Sequence, residues 1–281
     1  IKIGDFFELA GRDLAEISNI EMDYPNVRGK IELREKIASL YPDANLNNVL
    51  TTIGASEANY LIAETILKPG DELIALQPAY MQLPGNAQNN GITLKTVELI
   101  EAQNWALNTD QLMATVNSNT KIISIINPHN PTGHILTQTE MNAIIKAASS
   151  VGAWIVADEV YAGTERGDTP RTPSFWGQYD RVIAVNSMSK AYGMPGLRIG
   201  WIVAPEELMP QFQLRHEYTT ISSTMLGNEL ANIALDPEVR PKLTQRAREL
   251  IHFGFDTLMD MLAVHNDTYS VVPPEASAMC I

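Results

Sequence analysis

The chain has 281 residues, 45% hydrophobic and 19% charged, which is the composition of a folded globular protein with ample core. A net charge of −13 argues against nucleic-acid phosphates and anionic membranes as partners. The single cysteine, Cys280, excludes an internal disulfide and fits a reducing cytoplasm, and no apolar run is long enough to span a bilayer.

Reading from the N-terminus, Ile1–Asp5 is not a signal peptide, and without an initiator Met the chain is expected to begin inside a longer one. There is no internal repeat or low-complexity segment. Short apolar runs alternate with amphipathic stretches, the pattern of an α/β domain. Tyr24 lies in a Pro/Asn/Gly stretch that ends at Gly29. Val49–Ile53 predicts a strand ending at Gly54, and Ser56–Leu67 a helix stopped by Lys68-Pro69-Gly70-Asp71. Gly54-Ala55-Ser56 therefore joins a strand to a helix start, where free N–H groups bind anions. Ser56 suits both an N-cap and a phosphate ligand. Glu72–Leu76 is the next strand and leads to Gln77-Pro78-Ala79-Tyr80.

Lys121–Ile126 is apolar and largely β-branched, and is followed by the rigid turn Asn127-Pro128-His129-Asn130-Pro131-Thr132-Gly133. Thr139–Val151 is helical. Trp154–Ala157 is a buried strand with Asp158 at its C-terminal end, the edge where open α/β sheets bind ligands. Arg181–Val185 and Ile199–Val203 are further strands. After Pro205 the pattern is helical: Glu206–Tyr218, Met225–Ala234 and Glu238–Leu262. Tyr269–Val272 and Ala278–Ile281 are expected as the first strands of a second domain, left incomplete where the chain stops.

The most informative stretch is Asn186-Ser187-Met188-Ser189-Lys190, continuing to Gly196-Leu197-Arg198-Ile199-Gly200-Trp201. It sets Lys190 among small hydroxyl residues, with Arg198 eight positions on. That pattern suits a lysine held as a Schiff base beside a bound phosphate, which a guanidinium grips through two parallel hydrogen bonds. Together with the four motifs around Ser56, Tyr80, Asn130 and Asp158, it resembles the class I/II aminotransferases, which use pyridoxal 5′-phosphate (PLP). The likeness runs from about Tyr24 to Met279.

The resemblance implies a fold type I, aspartate-aminotransferase-like α/β architecture: a mostly parallel seven-stranded sheet flanked by helices, plus a smaller α/β domain, incomplete here. Residues 1–28 would contribute to the small domain and dimer interface, 29–210 would form the large PLP-binding domain, and 211–281 the linker helices and the start of the small domain. It implies catalytic roles for Lys190, Asp158 and Tyr161. Gly54, Ala55, Ser56, Ser187, Ser189 and Arg198 would hold the phosphate end and Tyr80 would stack on the ring. Asn130 and Tyr161 would reach the ring oxygen, Asp158 the protonated ring nitrogen, and Tyr24 the cofactor of the partner subunit in a homodimer. No metal is implied. The expected activity is transfer of an amino group between an L-amino acid and a 2-oxo acid, in the cytoplasm. A PLP-dependent C–S β-lyase, for which His129 speaks, and a non-catalytic regulatory domain are the alternatives. The lack of Gly-x-Gly-x-x-Gly after a strand argues against a nucleotide-dependent oxidoreductase. Two features depart from the family pattern. The arginine that clamps the substrate carboxylate lies beyond Ile281, and Pro273–Met279 lacks the usual Gly-Gly-aromatic run. The N-terminal arm is also shortened.

Overall fold

Strands that are buried on both faces read as continuous apolar runs, and the computed structural model, which describes residues 1–265 and 267–281, places such runs at the centre of one sheet. In chain order the elements are α1 (Ile3–Ala10), α2 (Ile31–Ala38), β1 (Val49–Thr52), α3 (Gly54–Ile66), β2 (Glu72–Gln77), α4 (Gln82–Asn89), β3 (Thr93–Ile100) and β4 (Ala106–Leu107). There follow α5 (Thr109–Thr115), β5 (Thr120–Ile126), α6 (Gln138–Val151), β6 (Trp154–Asp158), β7 (Val182–Ser187) and β8 (Gly200–Val203). Three helices end the series: α7 (Met209–Thr219), α8 (Met225–Ala234) and α9 (Arg240–Ala263).

The sheet order is β1-β8-β7-β6-β5-β2-β3-β4. Strands β7, β6, β5, β2 and β3 run parallel, while β8 is antiparallel to both β1 and β7. Eight strands are therefore present among the described residues, not the expected seven. The extra one, Ala106–Leu107, is a two-residue ribbon antiparallel to the end of β3. Two residues are too short to carry an alternation that sequence could reveal.

Side chains alternate across the sheet with period two. Ile183 and Val185 of β7 join a core with α3 and Phe212 of α7, whereas Val182 and Ala184 face the opposite layer, with α6 and α2. Helix α6 starts at a capping box between Thr137 and Glu140 and stops at Gly152, whose φ of 70° is the left-handed geometry that favours glycine. Helix α7 packs on α3 and β1, and α8 packs on α2, which itself contacts β1.

The two strands expected at Tyr269–Val272 and Ala278–Ile281 are not formed. Among the described residues, the 267–281 stretch makes one isolated bridge, Ala276 to Glu165. Pro273 and Pro274 donate no backbone hydrogen bond, and Ser277 turns the chain out of extended geometry at φ 73°. No helix among the described residues is long and apolar enough to cross a membrane.

Candidate active site

Three parallel strands deliver their last residues to one edge of the sheet. Ile126 of β5 is in register with Asp158 of β6, and Asp158 with Val185 of β7, two residues before Ser187. The N-terminus of α3 points at the same edge. A cleft of about 230 Å³ there is lined by Ala55, Ser56, Tyr80, Asn130, Asp158, Tyr161, Ser187, Ser189, Lys190 and Arg198. These are ten of the twelve residues singled out from sequence. Gly54 adjoins the cleft. Tyr24 does not enter it and stands 75% exposed on the surface of its own chain.

Two glycines create the anion-binding end. Gly54 takes φ 70° to turn from β1 into α3, and a Cβ on it would lie 2.5 Å from Nη2 of Arg198. A Cβ on Gly200 would lie 2.4 Å from the Gly54 carbonyl carbon and 2.5 Å from the Ala55 nitrogen. Their bare backbones let β8 and the Arg198 guanidinium close on the helix start. Arg198 itself adopts φ 53° and donates from Nη1 to the Pro195 carbonyl at 2.9 Å. Ser187 is buried, and its Oγ accepts from the Ser189 amide at 3.3 Å. Helix-start amides, the hydroxyls of Ser56, Ser187 and Ser189 and a guanidinium form the donor set that a phosphate dianion requires.

Asp158 also lines the cleft; it is 8% exposed and accepts a hydrogen bond from the Val160 amide at 3.2 Å. Burial pushes its carboxyl up to about 6, against the pull of the Val160 amide, the Asn59 side chain and the Lys190 charge. Burial, with Asp158 and Tyr80 nearby, drives the Tyr161 phenol up to about 12, so it remains a neutral hydroxyl. The Lys190 ammonium lies 5.5 Å from the centre of the Tyr161 ring. The Asn127 amide donates to the Asp158 carbonyl at 2.9 Å, and the Asn127 side chain accepts from the Leu136 amide at 3.0 Å. The turn that carries Asn130 is thereby fixed to the end of β6.

His129 is 2% exposed and bonded through Nδ1 to Thr132 Oγ1 at 2.9 Å. Burial and the neighbouring His134 push its pKa down to about 3, so the ring is neutral. It is not among the cleft-lining residues. Sequence reasoning missed Gln82, which lines the cleft and whose Oε1 accepts from the Asn59 side-chain Nδ2 at 3.2 Å. No sequence signal marks it: α4, which carries Gln82, has no helical pattern, and its packing on α3 brings it to Asn59.

An open, mostly parallel sheet with a lysine, a buried carboxylate and a phosphate cradle at its carboxyl edge defines a fold type I PLP protein. The residues present fit that cofactor: cradle, amine and carboxylate line one cleft, and the close approach of Arg198 and β8 to the helix start requires that Gly54 and Gly200 lack side chains. The family model described as aminotransferase class I and II matches residues 9–281, and the chain belongs to that family. It is 30% identical over 249 residues to the capreomycidine synthase of Streptomyces vinaceus, covering 85% of this chain and 64% of that protein. Over 199 residues it is 31% identical to an aspartate aminotransferase of Pyrococcus horikoshii, covering 69% and 51%. A crystal structure of a PLP-dependent aminotransferase from Streptococcus suis superposes with a TM-score of 0.89 at 27% identity, covering 100% of this chain and 74% of that one. The chain thus spans about half to two thirds of the length of these curated relatives.

Proposed function

We propose that this chain carries the PLP site of an aminotransferase that moves an amino group between an L-amino acid and a 2-oxo acid. The observation that carries this is the convergence of Lys190, Asp158 and the Gly54–Arg198 cradle on one cleft. PLP, when bound, supplies an electron sink for the charge left as a Cα–H bond breaks. The chain's own residues do the rest. Arg198, Ser187, Ser189, Ser56 and the Gly54–Ala55 backbone hold the phosphate. Tyr80 stacks on the ring, and Asn130 and Tyr161 donate to its oxygen. Asp158 pairs with the protonated ring nitrogen, and that pairing keeps its carboxyl ionised. The Lys190 amine would hold the cofactor at rest and, with substrate bound, would accept the Cα proton and deliver it to the cofactor carbon on the far side of the substrate nitrogen.

The proposal extends to a homodimer in which Tyr24 serves the partner's site, to a cytoplasmic setting, and to the division at residues 28 and 210. Tyr24's exposure outside its own cleft supports the first of these. β-Elimination has no such support, because His129 is buried and bonded to Thr132 away from the cleft lining. The test is product analysis with a panel of amino acids. Oxo-acid product that forms only when a 2-oxo acid acceptor is added supports transamination. Pyruvate and ammonia from cystathionine without an acceptor would replace it with C–S lysis.

A further inference from the structure

A second cavity, of about 630 Å³, lies behind the Asn130 turn and is lined in part by Trp105, Thr132, His134, Glu140 and Glu275. His134 is 8% exposed and both of its ring nitrogens are engaged. Nδ1 meets Glu275 Oε2 at 3.0 Å, and Nε2 meets Glu140 Oε1 at 3.1 Å. Each carboxylate is also tied to backbone. Glu140 accepts from the amides of Leu107 and Thr137, both at 2.7 Å, and Glu275 from the amide of Ile135 at 3.0 Å. A neutral imidazole has a single N–H and would leave one carboxylate facing a lone pair, whereas an imidazolium donates to both.

The three groups come from three separate stretches: the turn after Asn130, helix α6 and the C-terminal segment. Backbone bonds join the first and last of these, since the amides of Glu275 and Ala276 donate to the Gly133 carbonyl at 3.1 and 3.0 Å. Gly133 permits the contact; a Cβ on it would lie 2.3 Å from Pro274 Cβ. Both joined stretches reach the cofactor cleft. Asn130 lines it, and Met279 Sδ lies 4.0 Å from the Tyr161 hydroxyl.

We propose that His134 is a positioning residue: as an imidazolium bridging Glu140 and Glu275, it holds the 272–279 segment against the Asn130 turn and so sets one wall of the PLP cleft. Its catalytic meaning rests on the proposed PLP chemistry; the bridge itself does not. Glu140 and Glu275 are the charged groups that act on His134; the nearby His129 ring is itself held neutral by burial and by His134, and the Trp105–Leu107 side brings no charge. Burial opposes the charge on His134, but Glu140 and Glu275 outweigh it and push its pKa up to about 9. Burial likewise works to raise Glu140, yet His134 and the Leu107 and Thr137 amides hold it down at about 2.

The test is hydrogen exchange by mass spectrometry on the full chain, with and without PLP, corrected for the chemical pH dependence. Wild type, His134→Gln and Glu275→Gln are compared. In the wild type, peptides covering 130–136 and 272–279 should lose protection together as pH rises through about 9. In His134→Gln both should exchange at least about tenfold faster at neutral pH, with the pH dependence gone. Glu275→Gln keeps the side-chain size and should move the transition to lower pH. The pH midpoint of the visible band of bound PLP should move with it, because Asn130 shifts. The proposal is overturned if wild-type protection has no transition or the two peptides respond separately. It is equally overturned by wild-type protection in His134→Gln, or by an unmoved transition in Glu275→Gln. Should His134→Gln not fold, the wild-type titration and the Glu275→Gln shift decide. A wild type that takes up no PLP would remove the proposed function while the exchange result still judges the bridge.

Discussion

Gly54 and Gly200 show how absent atoms build a site. The Arg198 guanidinium fills the space that a Gly54 side chain would need, and the Gly54 backbone fills the space of a Gly200 side chain. Gly54→Ala should therefore push Arg198 out of the cradle and strain a φ of 70°, costing about 1–3 kcal/mol and weakening PLP binding at least about tenfold. Equilibrium dialysis and urea unfolding measure the two effects separately. Lys190→Ala would remove the group proposed to move the Cα proton, so turnover should fall by roughly 10²–10⁴-fold while the fold is kept, as single-turnover kinetics and circular dichroism would show. Asp158 titrates with a different consequence. Its carboxyl is neutral below about 6, and a neutral acid does not pair with a protonated ring nitrogen. PLP affinity should drop as pH falls through about 6, and Asp158→Asn should show the weak affinity at every pH. A pH-independent affinity in the wild type would contradict that role.

At the scale of elements, α3 is held at its start by Glu57. Its carboxylate accepts from the Ile53 amide at 2.6 Å and meets the fully buried His216 of α7 at 3.0 Å. Burial works to raise Glu57, but His216, the Ile53 amide and Thr220 together hold its carboxyl below the usual range. Glu57→Ala strands those partners and should cost about 1–3 kcal/mol in urea unfolding. The α6 start behaves as a pH device. His134 is raised from 6.5 to about 9, so its stabilisation is full below 6.5 and is lost as pH climbs through about 9. Glu140 is lowered from 4.5 to about 2, so its stabilisation is present above 4.5 and is lost as pH falls through about 2. Tm should decline on both sides of that window, and His134→Gln should flatten the alkaline arm. The same elements explain what sequence could and could not convey. Strands β2 and β5–β8 are largely apolar runs and β1 is rich in β-branched residues, and the predicted bounds of all six lie within a residue or two of the observed ones. Helix α4 contains Pro84, Gly85 and Asn86 and gives no helical signal; buried Leu83 and Ala87 pack with the α3 layer to hold it. Strand β3 is exposed at Thr93, Lys95, Thr96 and Glu98, so its pairing with β2 decides its structure more than its composition does. Of the residues that line the candidate cleft, Lys190, Asp158, Asn130 and Arg198 were legible because each belongs to a motif at or just beside a strand. Gln82, Asn59 and the His134 bridge were not, because tertiary packing alone brings them to their partners.

For the whole molecule, the sheet, the cradle and the family match describe one half of a functional unit whose second half is proposed to be another copy. The surface position of Tyr24 makes that testable. Tyr24→Phe should weaken PLP binding by about tenfold in the dimer, as expected for one lost hydrogen bond to a charged group, without altering the lone chain's stability. Sedimentation and PLP titration report the two quantities. The central claim is that this cleft binds PLP through Lys190 and passes amino groups through it. The visible absorption spectrum of the purified chain, loaded with PLP and titrated with amino acids, tests that most directly. The account predicts a yellow band that is absent in Lys190→Ala, bleached by at least one L-amino acid and restored by a 2-oxo acid. A protein that takes up no PLP, or a band that no amino acid alters, would contradict it.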